Sequence, residues 1–131
     1  MSASDEFVAI QVVTLPRDTN AHGTIFGGYI LSLIDQAGAV AANLSGAHKL
    51  VTVAMREVEF KRPVFVGDLV SCHTTVLRSG RTSVTVRVRV VAQSPVARAK
   101  GAPAREVTEA EVVYVQVDER GDPLPLDVPT P

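Results

Sequence analysis

The chain has 131 residues, 46% hydrophobic and 21% charged, which suits one water-soluble domain and leaves too little for two. A formal net charge of -1 argues against a nucleic-acid surface or a polybasic membrane patch, and the one cysteine, Cys72, cannot form an internal disulfide. The acidic start Met1-Ser2-Ala3-Ser4-Asp5-Glu6 lacks the basic and apolar regions of a signal peptide, so the expectation is a soluble, cytoplasmic protein that makes no membrane contact.

Phe7–Thr14 is apolar and β-branched, a first strand ended by Pro16, and Arg17–Gly23 is a polar loop. A helix is predicted from about Phe26–Gly28 to about Asn43, with Gly46 as its stop. From Ile30 to Ala42 it is almost wholly apolar or small, the composition of a helix buried on most sides, yet too short and too interrupted to span a bilayer. Leu50–Phe60 and Leu69–Leu77 read as strands joined by a tight connection at Pro63 and Gly67-Asp68, and Ser79-Gly80 reads as a hairpin turn. In the next strand Val84, Val86, Val88 and Val90 alternate with Ser83, Thr85, Arg87 and Arg89, one apolar face against one solvated face. Ser94–Arg105 reads as an extended loop and Glu106–Val117 as a last strand. Residues 1–118 then form a single domain, and 119–131 a proline-rich, loosely ordered tail.

One strand, one helix and four further strands favour an α+β architecture, an antiparallel sheet with the helix on one face. A single sheet covers the helix on one side only, and the exposed apolar flank predicts a homodimer.

The chemistry concentrates around the helix. Asp35 is the only charged side chain between Asp18 and Lys49, and a carboxylate in such a helix must be paired or hydrogen-bonded to be kept there. If Gly27 or Gly28 opens the helix, its first N–H groups are unpaired at the positive end of the helix dipole and can hold a developing oxyanion. Asp35 follows Gly27 by eight residues, a little over two turns, so both fall on roughly the same side and the carboxylate could act as general base or nucleophile. On pattern alone, glycines that only permit tight packing and a satisfied structural acid are an equal alternative. His22, His48 and His73 are scattered and, with one cysteine, make no zinc pattern, so no metal is expected. Ser32 lacks the strained turn of a serine nucleophile, and the glycines match neither a P-loop nor a dinucleotide fingerprint.

Three features together, Asp18-Thr19-Asn20-Ala21-His22-Gly23-Thr24-Ile25-Phe26-Gly27-Gly28, the acid Asp35, and Phe60-Lys61-Arg62-Pro63-Val64-Phe65-Val66-Gly67-Asp68, resemble the hotdog-fold acyl-CoA thioesterases of the cytosolic acyl-CoA hydrolase type. The resemblance runs from the first strand to about Asp118. It implies a hotdog fold: a five-stranded antiparallel sheet wrapped around one long central helix, paired into dimers and often hexamers, with active sites at the dimer interface. It implies Asp35 as the catalytic acid and the Gly27 amide as the group polarising the thioester carbonyl. Asn20 corresponds to a loop residue that helps hold substrate or water, and Thr52, less securely, to a hydroxyl near the catalytic water. Some members carry an acid or amide where Thr24 stands. No cofactor is implied, because coenzyme A is part of substrate and product.

The expected activity is hydrolysis of acyl-CoA to a carboxylic acid and coenzyme A. The phosphates of coenzyme A call for basic residues at the mouth of the site. Lys61, Arg62, Arg56 and the turn Arg78, Gly80, Arg81, Thr82, Ser83 are the candidates, with Phe26 and Gly28 at the helix start. Two rival readings are a hotdog dehydratase or hydratase on hydroxyacyl thioesters, which usually pairs a histidine with the acid, and a non-catalytic acyl-CoA sensor. No histidine accompanies Asp35 on the helix.

Overall fold

A computed structural model describes residues 5–127. Met1–Ser4 and Val128–Pro131, the ends of the acidic start and of the proline-rich tail, lie outside the described residues. Five strands, β1 (Phe7–Val13), β2 (Leu50–Arg56), β3 (Leu69–Ser79), β4 (Ser83–Gln93) and β5 (Arg105–Gln116), form one antiparallel sheet in the order β1-β3-β4-β5-β2. The long helix α1 (Gly27–Leu44) packs on one face, as the α+β reading requires. β2 follows the helix in sequence but crosses to the far side of β5, so β1 and β2 are the two edges.

The two-residue period of the strands decides which face is the core. Val84, Val86, Val88 and Val90 of β4 and Ala110, Val112 and Tyr114 of β5 are buried with Ile30, Leu33, Ile34, Ala37 and Ala41 of α1. Each fully buried Val, Leu or Ile contributes about 1.5–3 kcal/mol of transfer free energy. The residues between them turn outward and, with Arg78 of β3 and Glu6 before β1, form ion pairs across the opposite face: Arg78 with Glu111, Arg87 with Glu109, and Arg89 with both Glu6 and Glu106.

α1 is less enclosed than its composition suggests. Gly28, Ser32, Gln36, Val40 and Leu44, spaced by four residues, form an exposed stripe. The small residues Ala37, Gly38, Ala41 and Ala42 are buried; they allow close approach to the sheet and do not signify burial all round.

Three boundaries differ from the expectation. β2 stops at Arg56, short of Phe60, because Glu57 adopts a left-handed conformation (φ 58°) that no strand continues through. The 94–105 segment is not wholly extended: Pro95–Ala99 is a short helix, α2, with Ser94 accepting from the Ala97 amide at 3.1 Å and Pro95 at its first position. The tail is tied down rather than loose through Leu126. Asp118 Oδ1 accepts from the Arg120 and Asp122 amides, and the Leu124 and Leu126 amides donate to the Gln116 and Arg81 carbonyls. β1 pairs with β3 through a register break between Val8 and Ile10. Among the described residues no helix is long and apolar enough to cross a membrane.

Candidate active site

The loop leading into α1 is shaped by two side chains. Asp18 is buried and accepts from the Leu15 amide at 3.0 Å, while its carbonyl accepts from the Phe26 amide. Asn20 Oδ1 accepts from the His22 and Thr24 amides at 2.8 and 3.2 Å, and its Nδ2 donates to Thr24 Oγ1 at 2.9 Å. Asn20 thus spends most of its hydrogen-bonding capacity on the loop itself, and Thr24 is its partner. Gly23 at the loop tip has φ 85°, which a residue with Cβ rarely adopts.

The loop delivers the chain to α1 with Phe26 as N-cap and Gly27 and Gly28 as its first two residues. Their amides have no carbonyl one turn earlier to bond. Two phenylalanine rings wall this helix start. The Phe26 ring folds back over Gly28, where an added Cβ would lie 2.9 Å from it, and the Phe60 ring passes 3.5 Å from the Cβ position of Gly27. Both rings are close to half exposed. Lys61 and Arg62 follow Phe60, and with Ile25, Gly27, Ile30, Pro63 and Val64 they line a cleft of about 280 Å³. A helix N-terminus, apolar walls and two cations therefore share one opening.

Asp35 lies further along α1. It is half-buried, and Thr52 Oγ1 on β2 donates to its Oδ1 at 2.7 Å. Its backbone carbonyl accepts from the buried Tyr114 hydroxyl at 2.6 Å. The carboxylate is neither isolated nor fully buried; it sits where α1 meets the open edge strand β2.

Gly27 and Asp35 do not converge within one chain. Eight residues at ~1.5 Å rise put them about 12 Å apart along the axis and roughly 80° apart around it. They share roughly one side of the helix, but one thioester carbonyl cannot touch both.

The basic candidates divide. Lys61 and Arg62 lie beside Gly27, but Arg78 is paired with Glu111 at 3.4 Å on the face away from α1. Arg56, in register with Glu111, shares that face. Gly80, Arg81 and Thr82 form the β3–β4 turn, closed by the Gly80 amide donating to the Ser83 carbonyl. This turn lies at the end of the sheet where α1 finishes, since the Gln116 amide donates to the Thr82 carbonyl and Gln116 Oε1 accepts from the His48 amide. Within one chain it is at the opposite end from Gly27.

Tyr114 carries no motif that marks it in the sequence. The available signal was a phenol in an apolar strand, whose hydroxyl must find a buried partner. Cys72 is buried and its thiol is pushed up to about 12 by that burial, so it is inert as a nucleophile at neutral pH. Among the described residues no group of three or more His, Cys, Asp or Glu side chains is placed to hold a metal ion.

Residues 22–99 match the family model described as thioesterase superfamily. The acyl-CoA thioester hydrolase YciA of Salmonella typhimurium is 38% identical over 125 residues, covering 92% of this chain and 90% of that protein. A hexameric hotdog-fold thioesterase of Campylobacter jejuni superposes with a TM-score of 0.81 at 42% identity, covering 92% of this chain and 90% of that one. A hexameric thioesterase from Yersinia pestis superposes with a TM-score of 0.84 at 33% identity, covering 94% and 97%. The five-stranded sheet around one helix is the hotdog fold, and the chain belongs to the thioesterase superfamily.

Proposed function

We propose that the protein is an acyl-CoA thioester hydrolase whose active site is shared between two copies of the chain. The observation that carries this reading is Asp35, a half-buried acid held by Thr52 beside an unpaired strand edge, in a chain 38% identical to a named acyl-CoA thioester hydrolase. The open β2 edge, with Val51 and Val53 exposed at 42% and 55%, is a surface a second copy can cover by antiparallel pairing. A two-fold axis there reverses the second helix. If the helices pass each other near Leu31, midway between Gly27 and Asp35, the amide of one copy meets the carboxylate of the other. The same two-fold brings the second copy's Gly80–Ser83 turn toward the first copy's Lys61 and Arg62. The hexameric state of the solved relatives supports assembly beyond the dimer.

The chemistry follows from these placements. The Gly27 amide and the helix dipole polarise the thioester carbonyl and stabilise the oxyanion, a contribution of about 3 kcal/mol per well-placed donor. Asp35 either takes a proton from the attacking water or attacks the carbonyl carbon and forms a mixed anhydride that water opens. Both routes expel coenzyme A as a thiolate. Phe26 and Phe60 wall the path of the acyl or pantetheine arm, and Lys61 and Arg62 offer charge to the phosphates.

The test is thiol release from short, long and aryl acyl-CoAs by wild type, Asp35→Ala and Asp35→Asn. Release by wild type alone is expected. Wild-type turnover in both variants would remove Asp35 from the reaction, and no release by wild type from any ester would overturn the hydrolase. In a single turnover in ¹⁸O-water, label in the Asp35 carboxylate identifies the nucleophilic route with water attacking the Asp35 carbonyl of the anhydride, because a general base gains no oxygen.

A further inference from the structure

We infer that Tyr114 is a positioning residue for Asp35: its hydroxyl enters the hydrogen-bond ladder of α1 at the Asp35 rung and fixes how the carboxylate is presented. This rests on Asp35 being the catalytic acid. Tyr114 lies on β5 with its side chain turned into the core at 1% exposure, and its hydroxyl donates to the Asp35 carbonyl at 2.6 Å. A side chain that bonds a main-chain carbonyl in the middle of a helix helps fix the local orientation of that turn.

Two further observations support this role. Gly38 stands in the middle of α1, where glycine is a poor helix former, and a Cβ there would collide with the Tyr114 hydroxyl and lie 3.0 Å from Cε2 and Cζ of the ring. The absent methyl is the space the phenol occupies. Thr52 and Tyr114 are register partners across β2 and β5, so adjacent positions of one sheet row hold the same residue, Thr52 by its carboxylate and Tyr114 by its main chain. Rotation of α1 about its axis, or a slide along it, breaks both bonds. Burial keeps the phenol protonated far above neutral pH, so it remains a donor throughout the working range.

The experiment compares steady-state kinetics of wild type, Tyr114→Phe, Gly38→Ala, the double variant and Asp35→Asn, using whichever acyl-CoA wild type hydrolyses fastest. Circular dichroism and urea unfolding are run on each. Tyr114→Phe keeps the ring and its packing. Its kcat is expected to fall roughly ten- to hundredfold, the effect of a small misplacement of a reacting group, with KM within about twofold of wild type. Gly38→Ala should lower kcat in the wild-type background and cost less in the Tyr114→Phe background, where the colliding oxygen is gone. An inactive Asp35→Asn beside a folded Tyr114→Phe with wild-type kcat would overturn the positioning role alone. Wild-type kcat in Asp35→Asn would instead remove the premise. An equal cost of Gly38→Ala in both backgrounds would overturn the coupling of glycine to hydroxyl.

Discussion

Thr52 Oγ1 and Asp35 Oδ1 are 2.7 Å apart across 17 residues of sequence, so the edge strand and the helix are joined at the one acid of α1. A hydroxyl donating to a carboxylate is a charge-assisted bond, and it restricts the carboxylate to one rotamer. Removing it in Thr52→Ala should lower kcat roughly ten- to hundredfold, the equivalent of about 1.5–3 kcal/mol, with the fold retained. Unchanged kcat in a folded Thr52→Ala would show that Asp35 needs no such support.

Lys61 and Arg62 share a cleft with Gly27, whereas Arg78 is engaged with Glu111 on the opposite face of the sheet. Lys61→Ala and Arg62→Ala should each raise KM for acyl-CoA roughly three- to tenfold with little change in kcat, and Arg78→Ala should leave both constants near wild type. The KM of wild type should rise with salt as the phosphate contacts are screened. A salt-independent KM would count against binding through charge.

Val53 protrudes from the β2 edge at a break in the β2–β5 register between Thr52 and Ala54. Val53→Asp places a charge on the proposed two-fold. Sedimentation should show monomers, and hydrolysis should disappear with the dimer, because Gly27 and Asp35 of one chain are about 12 Å apart along the helix. A monomer with full kcat would sink the shared site.

Cys72 gives a prediction in pH. Its folded-state thiol is raised by burial from 9.0 to about 12, so folding favours the protonated form. The corresponding stability is complete below pH 9 and is lost as pH climbs from there toward about 12. Native protein at pH 8 should resist iodoacetamide, and unfolding in urea should release the reactivity. Rapid alkylation of folded protein would place the thiol at the surface.

The alternation of Val84 to Val90 with Thr85 to Arg89 already told which face of that strand was core, and the glycine pair marked where the helix begins. These features are local, set by the backbone period and by the absence of Cβ. What a linear reading could not supply were relationships between distant parts. The crossing of β2 beyond β5 carries Thr52 to Asp35, and only the three-dimensional register places Tyr114 beside Thr52. The basic residues illustrate the same limit. In sequence Arg78 is as available as Lys61; only the sheet brings Glu111 across to pair with it. Ser94-Pro95 carried a helix-start signal, an N-cap followed by proline, that the surrounding loop composition masked.

The register break in β1 has a consequence for what the sheet can become. A sheet with two open edges, one at β1 and one at β2, could in principle add copies at both and grow into a ribbon. The proposed pairing of two β2 edges about a two-fold would use both up and leave a β1 at each end. There the irregularity between Val8 and Ile10, followed by Pro16 just past the strand, spoils the straight row of donors and acceptors that another strand would need. In that arrangement growth by strand addition would stop after one step, because the irregular β1 edge offers a poor template.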